Sequence, residues 1–226
     1  MELKDIIDSA LKEGRTTLTE FESKQVLSQY GIPVAREFLC YTMAEMQKAA
    51  QEIGFPLVLK GYSPALAHKT EKDLIRLDIR NMGEAENAFN ELLERIQDQG
   101  KAILVQEMVK GKRELLAGMT RDPQFGPCVL FGLGGIFTEV LEEVSFRVAP
   151  LDKRQALDMM EETKAKKMLE SFRGMEAADK DLLVHILIQL GQLGLDQEKI
   201  KEIDINPLIL SGSKPVAVDA LVVLTT

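Results

Sequence analysis

Residues 202–210 read EIDINPLIL, and residues 214–224 read KPVAVDALVVL. Strand periodicity puts Ile203, Ile205, Pro207 and Ile209 on one face of the first stretch. Glu202, Asp204, Asn206 and Leu208 fall on the other. Gly212-Ser213 is the natural hairpin turn between the two stretches, so paired residue numbers sum to 425 and Asn206 stands opposite Asp219. In that register Val216 and Val218 join the apolar face. The opposite face gathers Asp204, Asn206 and Asp219, an agreement that a one-residue slip destroys. Three hard oxygen donors on one surface suit Mg²⁺, which takes a few protein oxygens and completes its shell with water and phosphate. A solvated polar face with capping side chains satisfies the same pattern.

Upstream, helix and strand signals alternate. An amphipathic helix is expected over residues 2–13, with Leu3, Ile6, Ile7, Ala10 and Leu11 on one face. Thr19 with Glu22 and Thr42 with Glu45 have capping-box spacing, predicting helices from there to about Tyr30 and Gly54. Strands are expected at Glu37–Tyr41, Leu57–Lys60, Ile75–Ile79 and Ala102–Glu107, with a helix at Glu84–Gln99. This β-α-β-β-α-β order matches a split βαβ layout. Beyond it come strands near 113–120, 128–132, 136–141 and 145–148. Helices near 152–161, 163–172 and 179–194 follow, and strands near 200–209 and 215–224 close the chain. The class is α/β (α+β) with two lobes, and the best internal boundary is the connection Met108–Lys112.

The 226 residues are 45% hydrophobic and 28% charged, with a net charge of −8. That composition makes a folded globular chain and, without a basic surplus, argues against nucleic-acid binding. No apolar run reaches membrane-spanning length, and the acidic, amphipathic start argues against a targeting peptide. A cytoplasmic location is the expectation. Cys40 and Cys128 lie in apolar runs and read as two buried free thiols.

Four further features can carry chemistry. Lys60 ends the apolar strand PLVLK, where it can meet a phosphate or snorkel to solvent. His68, in the polar loop YSPALAHKTEKD, has the chemistry of a proton or phosphoryl carrier, or is an idle surface histidine. His185, on a helix, reads as structural. Gly132, Gly134 and Gly135 form GLGG between two strands, which allows close anion approach or only a tight turn. Glu114, on the strand RELLAGM, can hold ribose hydroxyls or be a surface residue.

The order VLKGYSPALAHKTE (58–71), VQEMVKGKRELLAGMTRDPQFGPCVLFGLGGIFTEVLEEVSFRVAPL (105–151), FRGMEAADKDLL (172–183) and EIDINPLIL resembles the ATP-grasp domain of ADP-forming acyl-CoA synthetases. The resemblance spans about residues 18–222. It implies a single ATP-grasp domain over 1–226, with lobes of about 18–108 and 109–226 and the nucleotide between them. It further implies an acid–thiol ligase acting as a β subunit, with acyl-CoA, ADP and phosphate giving carboxylate, ATP and CoA through a phosphohistidine. The implied partner is a CoA-binding α subunit in an α2β2 complex, and the implied cofactors are ATP/ADP and Mg²⁺.

On the same resemblance Lys60 contacts the nucleotide phosphates, and Gln106, Glu107, Met108 and Val109 form the hinge that meets adenine. Glu114 holds the ribose, Gly134 and Gly135 lie near the phosphates, and Asn206 and Asp219 hold Mg²⁺, with Asp204 close by as a catalytic residue beside His68. His68 relays the phosphoryl group, with Lys69 and Arg121 as further local cations. One departure stands out. The Gly-Gly pair usual after this histidine loop is replaced by Asp73-Leu74, which removes backbone freedom and adds a negative charge. The alternatives are an ATP-grasp ligase joining a carboxylate to an amine, and a non-catalytic nucleotide-binding module.

Overall fold

A computed structural model of the chain describes residues 3–64, 74–98, 100–135, 144–172 and 174–225. It divides into two compact units. One is Ala35–Met108; the other joins Met1–Val34 to Val109–Thr226.

The smaller unit runs β1 (Glu37–Cys40), α3 (Met43–Ile53), β2 (Leu57–Tyr62), β3 (Ile75–Ile79), α4 (Met82–Arg95) and β4 (Ala102–Glu107). Its sheet has the order β1-β4-β2-β3, with every pair antiparallel. Thr42 and Glu45 cap α3 reciprocally, and Asn81 accepts the Glu84 amide at the start of α4. Met46, Ala50, Phe89 and Leu92 of the helices bury against Leu57, Leu59, Ile103 and Val105 of the sheet. Because Leu57 and Leu59 face that core, alternation turns Val58 and Lys60 to the other face.

The larger unit begins with α1 (Leu3–Lys12) and α2 (Glu20–Gln29). After the smaller unit come β5 (Glu114–Asp122), β6 (Gly126–Leu133), β7 (Val144–Val148), α5 (Lys153–Glu162), α6 (Lys166–Leu169) and α7 (Lys180–Asp196). β8 (Ile200–Ser211), β9 (Lys214–Ala217) and β10 (Leu221–Leu224) finish it. The sheet order is β10-β8-β5-β6-β7, with β9 also paired to β8. Leu183, Ile186, Leu187, Leu190 and Leu193 of α7 bury with Met119, Val129, Phe131, Ile203 and Ile205 of the sheet. No described helix is long and apolar enough to cross a membrane.

Three expectations change. Residues 18–34, grouped by sequence with the first lobe, belong to the larger unit. The reason is backbone pairing: the Leu18 amide donates to the Val222 carbonyl at 2.9 Å, Ala217 to Pro33 at 2.9 Å and Leu224 to Thr16 at 2.7 Å. The helix expected near 163–172 is only the four residues of α6, since the buried Arg113 guanidinium takes the Met168 carbonyl at 2.9 Å and Glu170 is extended. The single closing strand is two, broken at Val218–Ala220. The strand expected at 136–141 lies outside the described residues.

Candidate functional site

The hairpin register holds on both sides of the break. Leu208 pairs with Ala217 and Ser211 with Lys214; beyond the break, Asp204 pairs with Leu221 and Ile203 with Val222. All four pairs sum to 425, which puts Asn206 level with Asp219. The apolar face differs from expectation after Asn206. Ile203 and Ile205 face the core, but so do Leu208, Leu210 and Ala217 rather than Pro207, Ile209, Val216 and Val218. A register shift explains the change of phase. Leu115 of β5 pairs with Leu208, whereas Ala117 pairs with Ile205, so β8 carries an extra residue there. The bulge re-aims the strand at Asn206.

The polar side is electrostatically loaded. Burial first, then the charges of Glu202 and Asp219, push the Asp204 carboxyl up to about 6. Asp219 accepts the Ala220 amide at 2.8 Å, and the Val218 amide donates to the Pro207 carbonyl at 3.2 Å. Among the described residues no three His, Cys, Asp or Glu side chains group as a metal site. The carboxylates of Asp204 and Asp219 and the amide oxygen of Asn206 are hard donors, of the kind that Mg²⁺ takes together with water and phosphate. The accumulated negative charge at Asp204 favours such a cation.

The glycine turn is tied to this cluster. Gly135 has a positive φ of 65°, and its amide donates to Asn206 Oδ1 at 3.1 Å. An amide oxygen has two lone pairs, so this bond leaves Asn206 one more acceptor direction. The Gly134 amide donates to the Glu114 carbonyl at 3.0 Å. A side chain at Gly134 would collide with the Leu115 carbonyl, and one at Gly135 with the Glu114 carboxylate. Glu114, Gly134, Gly135 and Asn206 thus form one continuous group. The amide of Gly135, expected near phosphate, is here used by Asn206. Gly132 sits within β6, opposite Leu116 and Val144.

In the smaller unit, Lys60 of β2 is half-buried and paired with Leu104 and Ile75. Gln106 is fully buried on β4. The Glu107 carboxylate accepts the Arg36 amide at 2.8 Å and the Arg36 guanidinium at 3.1 Å. The Glu107 and Met108 amides donate to the Arg36 and Pro56 carbonyls at 2.9 and 3.3 Å. Val109 begins the second segment of the larger unit. Glu107 and Met108 are therefore anchored by their amides, and Glu107 by its side chain as well.

Arg121 is not a local cation for phosphate. Its guanidinium takes the carbonyls of Gly194, Gln197 and Ile200 behind the end of α7. Cys40 is buried, with its thiol pushed up to about 11 by burial and then by Glu45, whereas Cys128 is half-buried rather than buried. His185 is exposed. His68, Lys69 and Asp73 lie outside the described residues.

Comparison with known proteins adds four findings. The family model described as ATP-grasp domain matches residues 9–224. The β subunit of acetate–CoA ligase [ADP-forming] I from Pyrococcus furiosus is 40% identical, covering 98% of this chain and 97% of that one. The acetyl-coenzyme A synthetase 1 of Candidatus Korarchaeum cryptofilum, solved in complex with coenzyme A, superposes with a TM-score of 0.93 at 41% identity, covering 99% of this chain and all of that one. The same archaeal enzyme solved with coenzyme A and Mg-AMPPCP, its phosphohistidine segment pointing towards the nucleotide-binding site, superposes with a TM-score of 0.87.

Proposed function

The chain belongs to the ATP-grasp family, alongside the β subunits of ADP-forming acetate–CoA ligases, and on that premise we propose that it is the nucleotide-binding β subunit of an ADP-forming acyl-CoA synthetase. With a CoA-binding α subunit it converts acyl-CoA, ADP and phosphate to carboxylate, ATP and CoA. An α2β2 complex and a cytoplasmic location belong to the same reading.

The observation that carries the site assignment is the cluster at the hairpin break. Asp204 and Asn206 on β8 and Asp219 in the break share one register, and Asn206 holds the Gly135 amide. Asn206 and Asp219 would hold Mg²⁺, with Asp204 beside them. Bound there, Mg²⁺ would neutralise charge on the transferring phosphoryl group. Lys60 places a positive charge for the nucleotide phosphates. Gln106 to Val109 meet the base, and Glu114 meets the ribose. Gly134 and Gly135 lie near the phosphates, and their lack of side chains lets the turn pack against Leu115 and Glu114. His68 relays the phosphoryl group from the α subunit.

The test is calorimetric titration of the chain with ADP and ATP, with and without Mg²⁺, beside Lys60→Ala. Mg-dependent binding weakened on the order of tenfold in the variant, about 1.4 kcal/mol, is the expected result. Equal binding by both proteins removes Lys60 from the site.

A further inference from the structure

Asp219 lies where the strand run is broken, in a segment tied to β8 through the Val218 amide, which donates to the Pro207 carbonyl at 3.2 Å. Val218–Ala220 interrupts the run between β9 and β10. Further support on either side of the segment comes from the N-terminal stretch. The Ala217 amide reaches the Pro33 carbonyl at 2.9 Å, and the Val222 carbonyl receives the Leu18 amide at 2.9 Å. Two consecutive side chains of α2 close the grip. Ser23 Oγ accepts the Val222 amide at 3.1 Å, and Lys24 Nζ donates to the Val218 carbonyl at 3.2 Å.

Lys24 is the unusual member. It is only 1% exposed, a depth at which a lysine is rarely found without a paired charge. Its ammonium pairs with Glu20, one turn earlier, at 2.7 Å. Helix α2 is itself fixed at its start. Thr19 and Glu22 form a capping box, and the Arg15 guanidinium grips both Glu22 oxygens at 2.7 and 2.9 Å. A buried charge with a fixed partner on an anchored helix is a stiff support, and it ends on the carbonyl immediately before Asp219.

We infer that Lys24, with Ser23, is a positioning residue that sets the Asp219 carboxylate for the metal by holding the Val218–Val222 backbone. The inference rests on the reading of Asp219 as a metal ligand. Partners that orient a ligand from behind commonly govern metal affinity without touching the metal. Lys24 does so through the main chain, from a helix separated in sequence from the hairpin by nearly the whole chain.

The test uses the full chain in three forms: wild type, Lys24→Met and Asp219→Asn. Methionine keeps the length and apolar stem of lysine, and Glu20 retains enough solvent access (23% of its side chain) not to be stranded. Mn²⁺ binding is followed by electron paramagnetic resonance with ADP present. ADP binding without metal and amide exchange at 217–222 are measured in parallel.

Lys24→Met is expected to weaken Mn²⁺ binding on the order of tenfold, to leave metal-free ADP binding unchanged and to speed exchange at 217–222. Asp219→Asn is expected to weaken Mn²⁺ binding without faster exchange. If Asp219→Asn loses the metal while Lys24→Met keeps it, the positioning role is overturned and the metal reading stands. If neither variant affects Mn²⁺, the metal reading itself fails. Equal losses of metal and metal-free ADP binding in Lys24→Met would mark a merely structural role. If Lys24→Met does not fold, Ser23→Ala, which keeps the ion pair, decides: weaker Mn²⁺ binding with unchanged metal-free ADP binding supports the grip, and unchanged Mn²⁺ binding overturns it.

Discussion

Asp204→Asn should make the chain more stable and less functional, and the stability gain should depend on pH. The Asp204 carboxyl titrates at about 6 instead of the ordinary 3.8, because burial and the charges of Glu202 and Asp219 oppose ionisation. The native state therefore keeps this proton to a higher pH than the unfolded chain does. Stability falls as pH rises through the window from 3.8 to about 6, and the full cost persists above it. At 1.36 kcal/mol for each pH unit, that cost is about 3 kcal/mol. The amide is nearly isosteric and does not ionise, so the variant escapes it. The pH-dependent gain is about 3 kcal/mol at pH 8 and about half that at pH 5. For a unit of this size, 1 kcal/mol moves Tm by about 2–4 °C, so Tm should rise by roughly 6–12 °C at pH 8. Scanning calorimetry of wild type and variant at both pH values, without metal or nucleotide, reads the difference. A gain equal at pH 5 and pH 8, or a loss at pH 8, refutes the electrostatic account of the cluster. Mg-ADP should then stabilise the wild type more than the variant, because only the wild type has the carboxylate to be neutralised.

Two further outcomes follow from the packing. Gly135→Ala places a side chain in the left-handed region against the Glu114 carboxylate, costing about 1–2 kcal/mol from the backbone conformation alone; Tm should fall, ADP affinity with it, and Glu114→Ala in the same chain should restore part of the Tm but not the affinity. Phe89→Ala empties the centre of the smaller core at a cost of about 3–5 kcal/mol; hydrogen exchange should quicken in β2 and β4 while α7, which belongs to the other core, stays protected, and equal quickening in α7 would refute the prediction.

What the sequence determined by itself is local. Thr19 with Glu22 and Thr42 with Glu45 cap helices because the partners lie three residues apart, within reach of the same helical turn. The register at 425 was legible because a two-residue turn and strict alternation leave little freedom in a hairpin. It brought Asn206 level with Asp219 before any tertiary contact was known. Alternation failed at Pro207 because the bulge is set by β5, a strand some ninety residues earlier in the chain. The tertiary structure alone decided four things: that residues 18–34 pack with the hairpin, that Arg121 serves the end of α7, that Gly135 donates to Asn206, and that Lys24 is buried. Each is a pairing between segments far apart in sequence, and nothing periodic within either segment records the other. A lysine in SKQVLSQ reads as solvent-facing until the carbonyl it serves, at Val218, is brought to it by the fold.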